Sequence, residues 1–397
     1  MKITLTFKVR IFPDEECKCF LKDTMRAYRD ACNYVSSFVF STQSLELKEL
    51  QKNLYYNLRT EYGLKSQMAL SVLRTVRSCY KARDSRNDKW SFIKFNKPQL
   101  DLLWNRDYSI SKDRFSISTL YGRLKIPFDR NGLLDKGKFG TAKLVFRHNK
   151  FFLHIPITKE IPDTPLCEIN CIVGIDRGVR FLATTFDSNG KTTFFSGANY
   201  ISKRNHYYEL RKQLKQVGTA SSKRRLRAVA QRENRWINDL NHCISKALVE
   251  TYPRGTLFVL EDLNNIQSRS SKFRDNINYV IKTWPYFDLE RKLTYKAAMK
   301  GQKVVKVDPA YTSQTCPLCG RKDKRSRLKK KHLFRCTTCR YKSNDDRVAA
   351  INLYSKGMQY LVQSGESMPL FGGARSIVPD AKPALETPFP RVIYKSH

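Results

Sequence analysis

"NCIVGIDRGVRFLATTFDSNGKTTFFSG", residues 170–197, governs the reading of the whole chain. Its alternating apolar and β-branched runs, with Asp187–Gly190 as a turn, predict a three-stranded meander. The first run, "CIVGI", is apolar throughout, which predicts a buried central strand, and it ends on Asp176. A carboxylate in that position is costly unless it is solvated, paired or bound to a metal.

Downstream, a helical region is expected from about 200 to 250, followed by the apolar run "TLFVLEDL" (256–263), which ends on Glu261 in the same manner. A helix near 287–300, a short strand "KVVKV" (303–307) and a helix from Asp345 to Gly357 complete the pattern. Meander, helix, strand, helix, strand, helix predicts an α/β sheet with mixed pairing. Upstream, "MKITLTFKVRIF" places Ile3, Leu5, Phe7, Val9 and Ile11 on one face of a strand. Residues 13 to about 100 read as helical, and Phe92 to Ile157 turns to strands, notably "RFSISTLYGRLKIPF" and "AKLVFRHNKFFLHIPI". The opening strand is expected to join that sheet, with "KEIPDTPL" as a linker to the second unit. Residues 363–397, rich in Pro, Gly and Ser, are expected to be disordered.

The 397 residues carry a formal net charge of +38. Such a surplus repels itself and implies a polyanionic partner, with nucleic acid ahead of a membrane surface because no segment reads as a signal peptide or span. Of the eleven cysteines, Cys17, Cys19, Cys32, Cys79, Cys167, Cys171 and Cys243 are scattered and are read as small buried side chains in a reducing compartment.

The other four, Cys316, Cys319, Cys336 and Cys339, form Cys-x2-Cys-x16-Cys-x2-Cys, the spacing of a structural four-thiolate zinc site. Gly320 can take the unusual dihedral that such a knuckle needs, and His332 fits less well as a ligand. Between the pairs, Arg321, Lys322, Lys324, Arg325, Arg327, Lys329, Lys330 and Lys331 suggest phosphate contact.

Asp176, Glu261 and the helix-initial Asp345 and Asp346 fit one chemistry. Carboxylates from neighbouring elements can hold two Mg²⁺ ions roughly 4 Å apart for phosphodiester cleavage. Asp346, Ala350 and Leu353 share a helix face, which selects Asp346 and turns Asp345 aside, at or near the cap. No Ser, Cys or His nucleophile constellation is evident, since the six histidines are dispersed.

"GIDRGVRFLA", "LEDLNNI", "VDPAYTSQTCPLCG" and "DDRVAAIN" resemble the signatures of the TnpB family, transposon-encoded RNA-guided DNA nucleases related to compact type V CRISPR effectors. "MKITLTFKVRIFPDEE" and "YNLRTEYGLKSQMALSVLRTVRSCYKA" extend the resemblance to roughly residues 1–360. It implies a multidomain α+β chain: a β-barrel wedge domain (1–12 and 101–165) with an inserted helical recognition domain (13–100). An RNase H-like (RuvC) α/β nuclease domain (166–310 and 343–362) would follow, interrupted by a zinc ribbon (311–342). The family's catalytic acids fall on Asp176, Glu261 and Asp346, with two Mg²⁺ and one Zn²⁺ as cofactors. Where members commonly carry Asn, this chain has Val348.

The expected partners are a guide RNA and double-stranded target DNA, bound by a monomer in a prokaryotic, nucleoid-associated cytoplasmic setting. In "SKRNHYYELRKQLKQVGTASSKRRLRAVAQRENRW", an apolar stripe of Leu226, Ala230, Ile237, Leu240, Ile244 and Leu248 leaves Arg224, Arg225, Arg227, Arg232 and Arg235 for the phosphates of guide RNA or heteroduplex. Tyr55, Tyr56, Gln67, Arg74 and Arg77 are expected to contact a short motif flanking the target. A guide-dependent repressor that no longer cuts and a strand-joining transposase are the competing readings.

Overall fold

The structure, a computed structural model, describes residues 1–86, 88–111, 113–128, 137–263, 285–328 and 331–365. The chain divides into two compact units, 2–161 and a second from 162 onward. The expected disorder of the tail lies almost wholly outside the described residues.

In the first unit, β1 (Lys2–Ile11) is separated from its partner by most of the unit. Three helices follow it, α1 (Glu15–Thr42), α2 (Leu47–Thr60) and α3 (Ser66–Asp84). Then come β2 (Gln99–Leu102), β3 (Tyr108–Ser111), β4 (Arg114–Thr119), β5 (Gly122–Pro127), β6 (Lys138–Phe139), β7 (Ala142–Arg147) and β8 (Lys150–Glu160). β1 and β8 pair antiparallel from Lys2↔Glu160 to Ile11↔Phe151, so the opening strand joins the sheet as its alternation predicts. His148 and Asn149 both have positive φ, 48° and 59°, the backbone required at the tight turn between β7 and β8.

The expected barrel is not closed among the described residues. The strands form an open sheet ordered β1-β8-β7-β2, with β6 on β8, and a separate meander β3-β4-β5. The meander strands pair with one another, and a single bridge, Ile11↔Phe128, extends from β1. Helical structure also ends earlier than expected, at Asp84.

The second unit contains β9 (Cys171–Asp176), β10 (Phe181–Asp187), β11 (Thr192–Ser196), α4 (Ala198–Val217), α5 (Ala220–Thr251), β12 (Thr256–Glu261), α6 (Tyr286–Met299) and β13 (Lys303–Val307). Three short strands, β14 (Arg327–Leu328), β15 (Leu333–Arg335) and β16 (Lys342–Asn344), precede the last helix, α7 (Asp345–Gln363). The main sheet runs β11-β10-β9-β12-β13. The meander is antiparallel, whereas β12 lies parallel to both β9 and β13. Parallel neighbours need crossovers, and helical segments supply them.

Both central strands are buried except at their last residue. Their alternation sorts the two faces. Val173, Ile175, Phe258 and Leu260 pack with residues of α5 and α6, while Ile172, Leu257 and Val259 pack with Leu353 and Leu361 of α7. Gly174 faces α7 as well, and a Cβ there would stand 2.1 Å from Ala350 O and 2.4 Å from Tyr354 N. Helix and strand thus approach to backbone distance at Gly174.

Two helix boundaries differ from expectation. The basic helical region is broken at Gly218, whose φ of 67° ends α4, and Thr219 caps α5 by accepting from Ser222 N. α7 does not stop at Gly357. That glycine lies inside the helix, where an added Cβ would come within 2.5 Å of Val259 Cγ2.

Candidate carboxylate site and cysteine cluster

The register brings Asp176 and Glu261 together. β12 pairs with β9 in parallel up to Leu260↔Ile175, so the next residue on each strand is a carboxylate. Period-two alternation puts both on the face covered by α7, with Ile172, Gly174, Leu257 and Val259. Asp346, in the first turn of α7, reaches the same end of the sheet.

The electrostatics reflect that convergence. Burial raises the Asp176 carboxyl well above the ordinary range, and Glu261 and then Asp346 raise it further. Glu261 is raised by burial, although the Thr312 hydroxyl and Arg177 act in the opposite sense. Asp346 is pushed up to about 6 by burial and by Asp345. Burial is the first cause at all three, and neighbouring carboxylates add to it at Asp176 and Asp346, an oxygen donor set that suits a hard divalent cation.

Neighbouring side chains fix the frame. Buried Arg177 donates to Glu261 O at 2.6 Å and to Glu290 Oε2 at 3.1 Å, tying the end of β12 to α6. Thr312 donates its hydroxyl to Glu261 Oε1. Asn352 in turn donates to the carbonyls of Thr312 and Thr315, at 2.6 and 2.8 Å. Sequence reading missed these roles because each joins segments far apart in the chain.

Asp345 differs from expectation in one respect. Asn344, not Asp345, caps α7, its Oδ1 accepting from the N–H groups of Asp346 and Arg347. Asp345 is 1% exposed and accepts a 2.9 Å bond from Arg327 Nε. Arg327 therefore serves an ion pair instead of standing free for phosphate. Val348 is buried with Cys316, Phe334 and Cys336.

The sulfurs of Cys316, Cys319, Cys336 and Cys339 all lie within 4.8 Å of one another. Cys316 to Cys339 is 3.6 Å and Cys319 to Cys336 is 3.5 Å, and all four thiols are free. Four sulfurs about 2.3 Å from a tetrahedral ion would stand roughly 3.8 Å apart, so the cluster could bind zinc. Gly320 adopts φ 71°. Burial opposes the shift, yet the N–H groups of Cys339 and Thr338 bring the Cys336 thiol down to about 6. Among the other cysteines, Cys32 and Cys171 are buried, but Cys19 and Cys167 are exposed, contrary to expectation.

On α5, Arg224, Arg225, Arg227, Arg232 and Arg235 are all exposed. The apolar stripe is shifted from expectation, because Val229 and Glu233 are buried while Leu226, Ala230 and Leu240 are only half-buried. Glu233 accepts from Arg204 and Arg211 of α4, which compensates its charge. In the first unit Tyr56 and Arg74 are exposed, and Tyr55 and Gln67 are half-buried. Arg77 Nε donates to Leu45 O at 2.8 Å, holding the connection before α2. Lys329 and Lys330 lie outside the described residues.

Two family models match the chain: a Cas12f1-like TNB domain over residues 286–353 and a probable transposase, OrfB of the IS605 type, over residues 154–266. Similar to it is the CRISPR-associated endodeoxyribonuclease Cas12f1 of Sulfoacidibacillus thermotolerans, 32% identical over 52% of this chain and 50% of that protein. The chain thus matches half the length of this relative. The putative RNA-guided DNA endonuclease InsQ of Escherichia coli is 24% identical over 93% of this chain and 97% of its own. The TnpB-like protein MJ0751 of Methanocaldococcus jannaschii is 34% identical over 32% of this chain and 44% of its own. No described helix is long and apolar enough to cross a membrane.

Proposed function

We propose that this TnpB-like chain is an RNA-guided DNA endonuclease, associated with a transposable element, that cuts double-stranded DNA beside a short flanking motif. One observation carries the reading: Asp176 and Glu261 end adjacent parallel strands on the face where α7 presents Asp346. In this reading the second unit is an RNase H-like, RuvC-type nuclease domain, and the cysteine-bearing segment 311–342 is its zinc ribbon. Segments 1–12 and 101–165 form the wedge domain, and 13–100 form the recognition domain.

Asp176, Glu261 and Asp346 would hold two Mg²⁺ ions, which supply an activated water and stabilise the departing oxygen. Arg177 fixes the Glu261 backbone and Thr312 orients its carboxylate. The exposed arginines of α5 neutralise phosphates of the guide RNA or heteroduplex without reading bases. Tyr56, Gln67 and Arg74 face the flanking motif. Val348 packs beside the cysteine cluster, which suits a structural role and supports cutting over guided binding alone.

The test is cleavage by the protein purified with its own guide RNA and Mg²⁺. A matched duplex beside the flanking motif should be cut, and Asp176→Ala and Glu261→Ala should bind it and leave it whole. Equal cutting of matched and unmatched duplexes would overturn guidance. Tight guided binding without cutting would favour the repressor, and joined strands the transposase.

A further inference from the structure

β15 and β16 pair Leu333 with Asn344, so one step further His332 and Asp345 lie opposite each other. The Asp345 N–H donates to His332 O at 3.4 Å, and His332 holds φ 49°. Asp345 is 1% exposed. Its Oδ2 accepts from Arg327, whereas its Oδ1 receives no hydrogen bond and lies 3.7 Å from His332 Nδ1. A buried carboxylate oxygen with no donor is costly, and such an atom points to a missing partner. Asp346 completes the group, since the donor atoms of His332, Asp345 and Asp346 lie within 4.8 Å of one another.

We propose that His332, Asp345 and Asp346 form a site for a divalent first-row transition ion such as Mn²⁺. It is separate from the four thiols and joined to the carboxylate site through Asp346, so it rests on the proposed role of that residue. Two carboxylates outnumber the single guanidinium of Arg327 beside them, and the His332 imidazole adds a nitrogen donor. Mixed nitrogen and carboxylate donors favour Mn²⁺, Co²⁺ or Zn²⁺, whereas Mg²⁺ prefers oxygen alone. An ion there would satisfy Asp345 Oδ1 while Arg327 keeps Oδ2. The competing reading is a His332–Asp345 pair that holds no metal.

Mn²⁺ binding to the full chain, with zinc retained at the cysteines, separates these cases. Bound Mn²⁺ should show imidazole nitrogen coupling in pulsed electron paramagnetic resonance. His332→Ala should abolish that coupling and weaken the site at least about tenfold, and Glu261→Gln should preserve both. Absence of nitrogen coupling in the unmutated protein, or unchanged affinity in His332→Ala, would overturn the site. Loss of Mn²⁺ in Glu261→Gln but not His332→Ala would also overturn it, placing the ion on Asp176 and Glu261 and leaving the proposed nuclease intact. Failure of guided cleavage with the coupling present would overturn the nuclease reading alone.

Discussion

Thr312 donates its hydroxyl to Glu261 Oε1 at 2.5 Å, and Asn352 of α7 holds the Thr312 carbonyl at 2.6 Å. The cysteine-bearing segment is thereby tied to a strand-end carboxylate and to the helix that carries Asp346. Disturbing the cysteine cluster should reach the carboxylates through this link.

Cys336→Ser should therefore lose one bound Zn²⁺ per chain, lower thermal stability and reduce cleavage more than guide binding. Thiolate ligation stabilises a segment whose own core is small. Elemental analysis with a thermal melt checks this, and a metal-free protein with an unchanged melt would contradict it.

Asp346→Ala and Asp345→Ala should fail differently. Removing Asp346 takes away a proposed metal ligand, so cleavage should vanish while the melting temperature holds or rises. Removing Asp345 strands Arg327, whose side chain is 27% exposed. That partial exposure reduces the usual penalty for a broken buried pair to about 2 kcal/mol. A lower melt with residual cutting is expected, and a fully stable Asp345→Ala would show the ion pair to be idle.

Without metal, stability should fall as pH rises through the Asp346 titration. The folded carboxyl is raised from 3.8 to about 6, so the folded state binds its proton more tightly than the unfolded chain does. Its contribution is full below about pH 4 and is lost as pH rises past about 6. Asp176, raised as well, acts in the same sense. Mg²⁺ held by these acids, as proposed, would require them ionised, so its thermal stabilisation should be small near pH 5 and larger near pH 7.5. Asp346→Asn should flatten that difference, and equal Mg²⁺ shifts at both pH values would argue against these ligands.

Gly174→Ala should separate α7 from β9. The new methyl would meet Ala350 O at 2.1 Å, and both partners are backbone, so neither can yield cheaply. A loss of about 3 kcal/mol is expected, at the upper end for overpacking. Denaturant unfolding measures it, and an unchanged midpoint would show that the helix can shift freely.

Local features of this chain were readable from its sequence. The apolar run ending at Asp176, the turn at Asp187–Gly190 and the two cysteine pairs are encoded within short windows. The Arg327–Asp345 pair was not readable, because it depends on how β14, β15 and β16 assemble. Nor was the pairing of Arg204 and Arg211 with a buried Glu233, because those partners sit on another helix. Barrel closure depends on strand edges distant in sequence, and alternation alone does not reveal it. Gly357 resembled a helix terminator, but its value is the space it leaves for Val259.

The position of α7 also sets an order of events during synthesis. β9 and β12 can pair once residue 261 has left the ribosome, but the face they present at Gly174 stays uncovered until residues 345–363 follow. A nascent chain consequently has two of its three acids in place and lacks the third. On the proposed ligand set, a chain whose translation stops in the cysteine segment therefore lacks both the covering helix and a ligand.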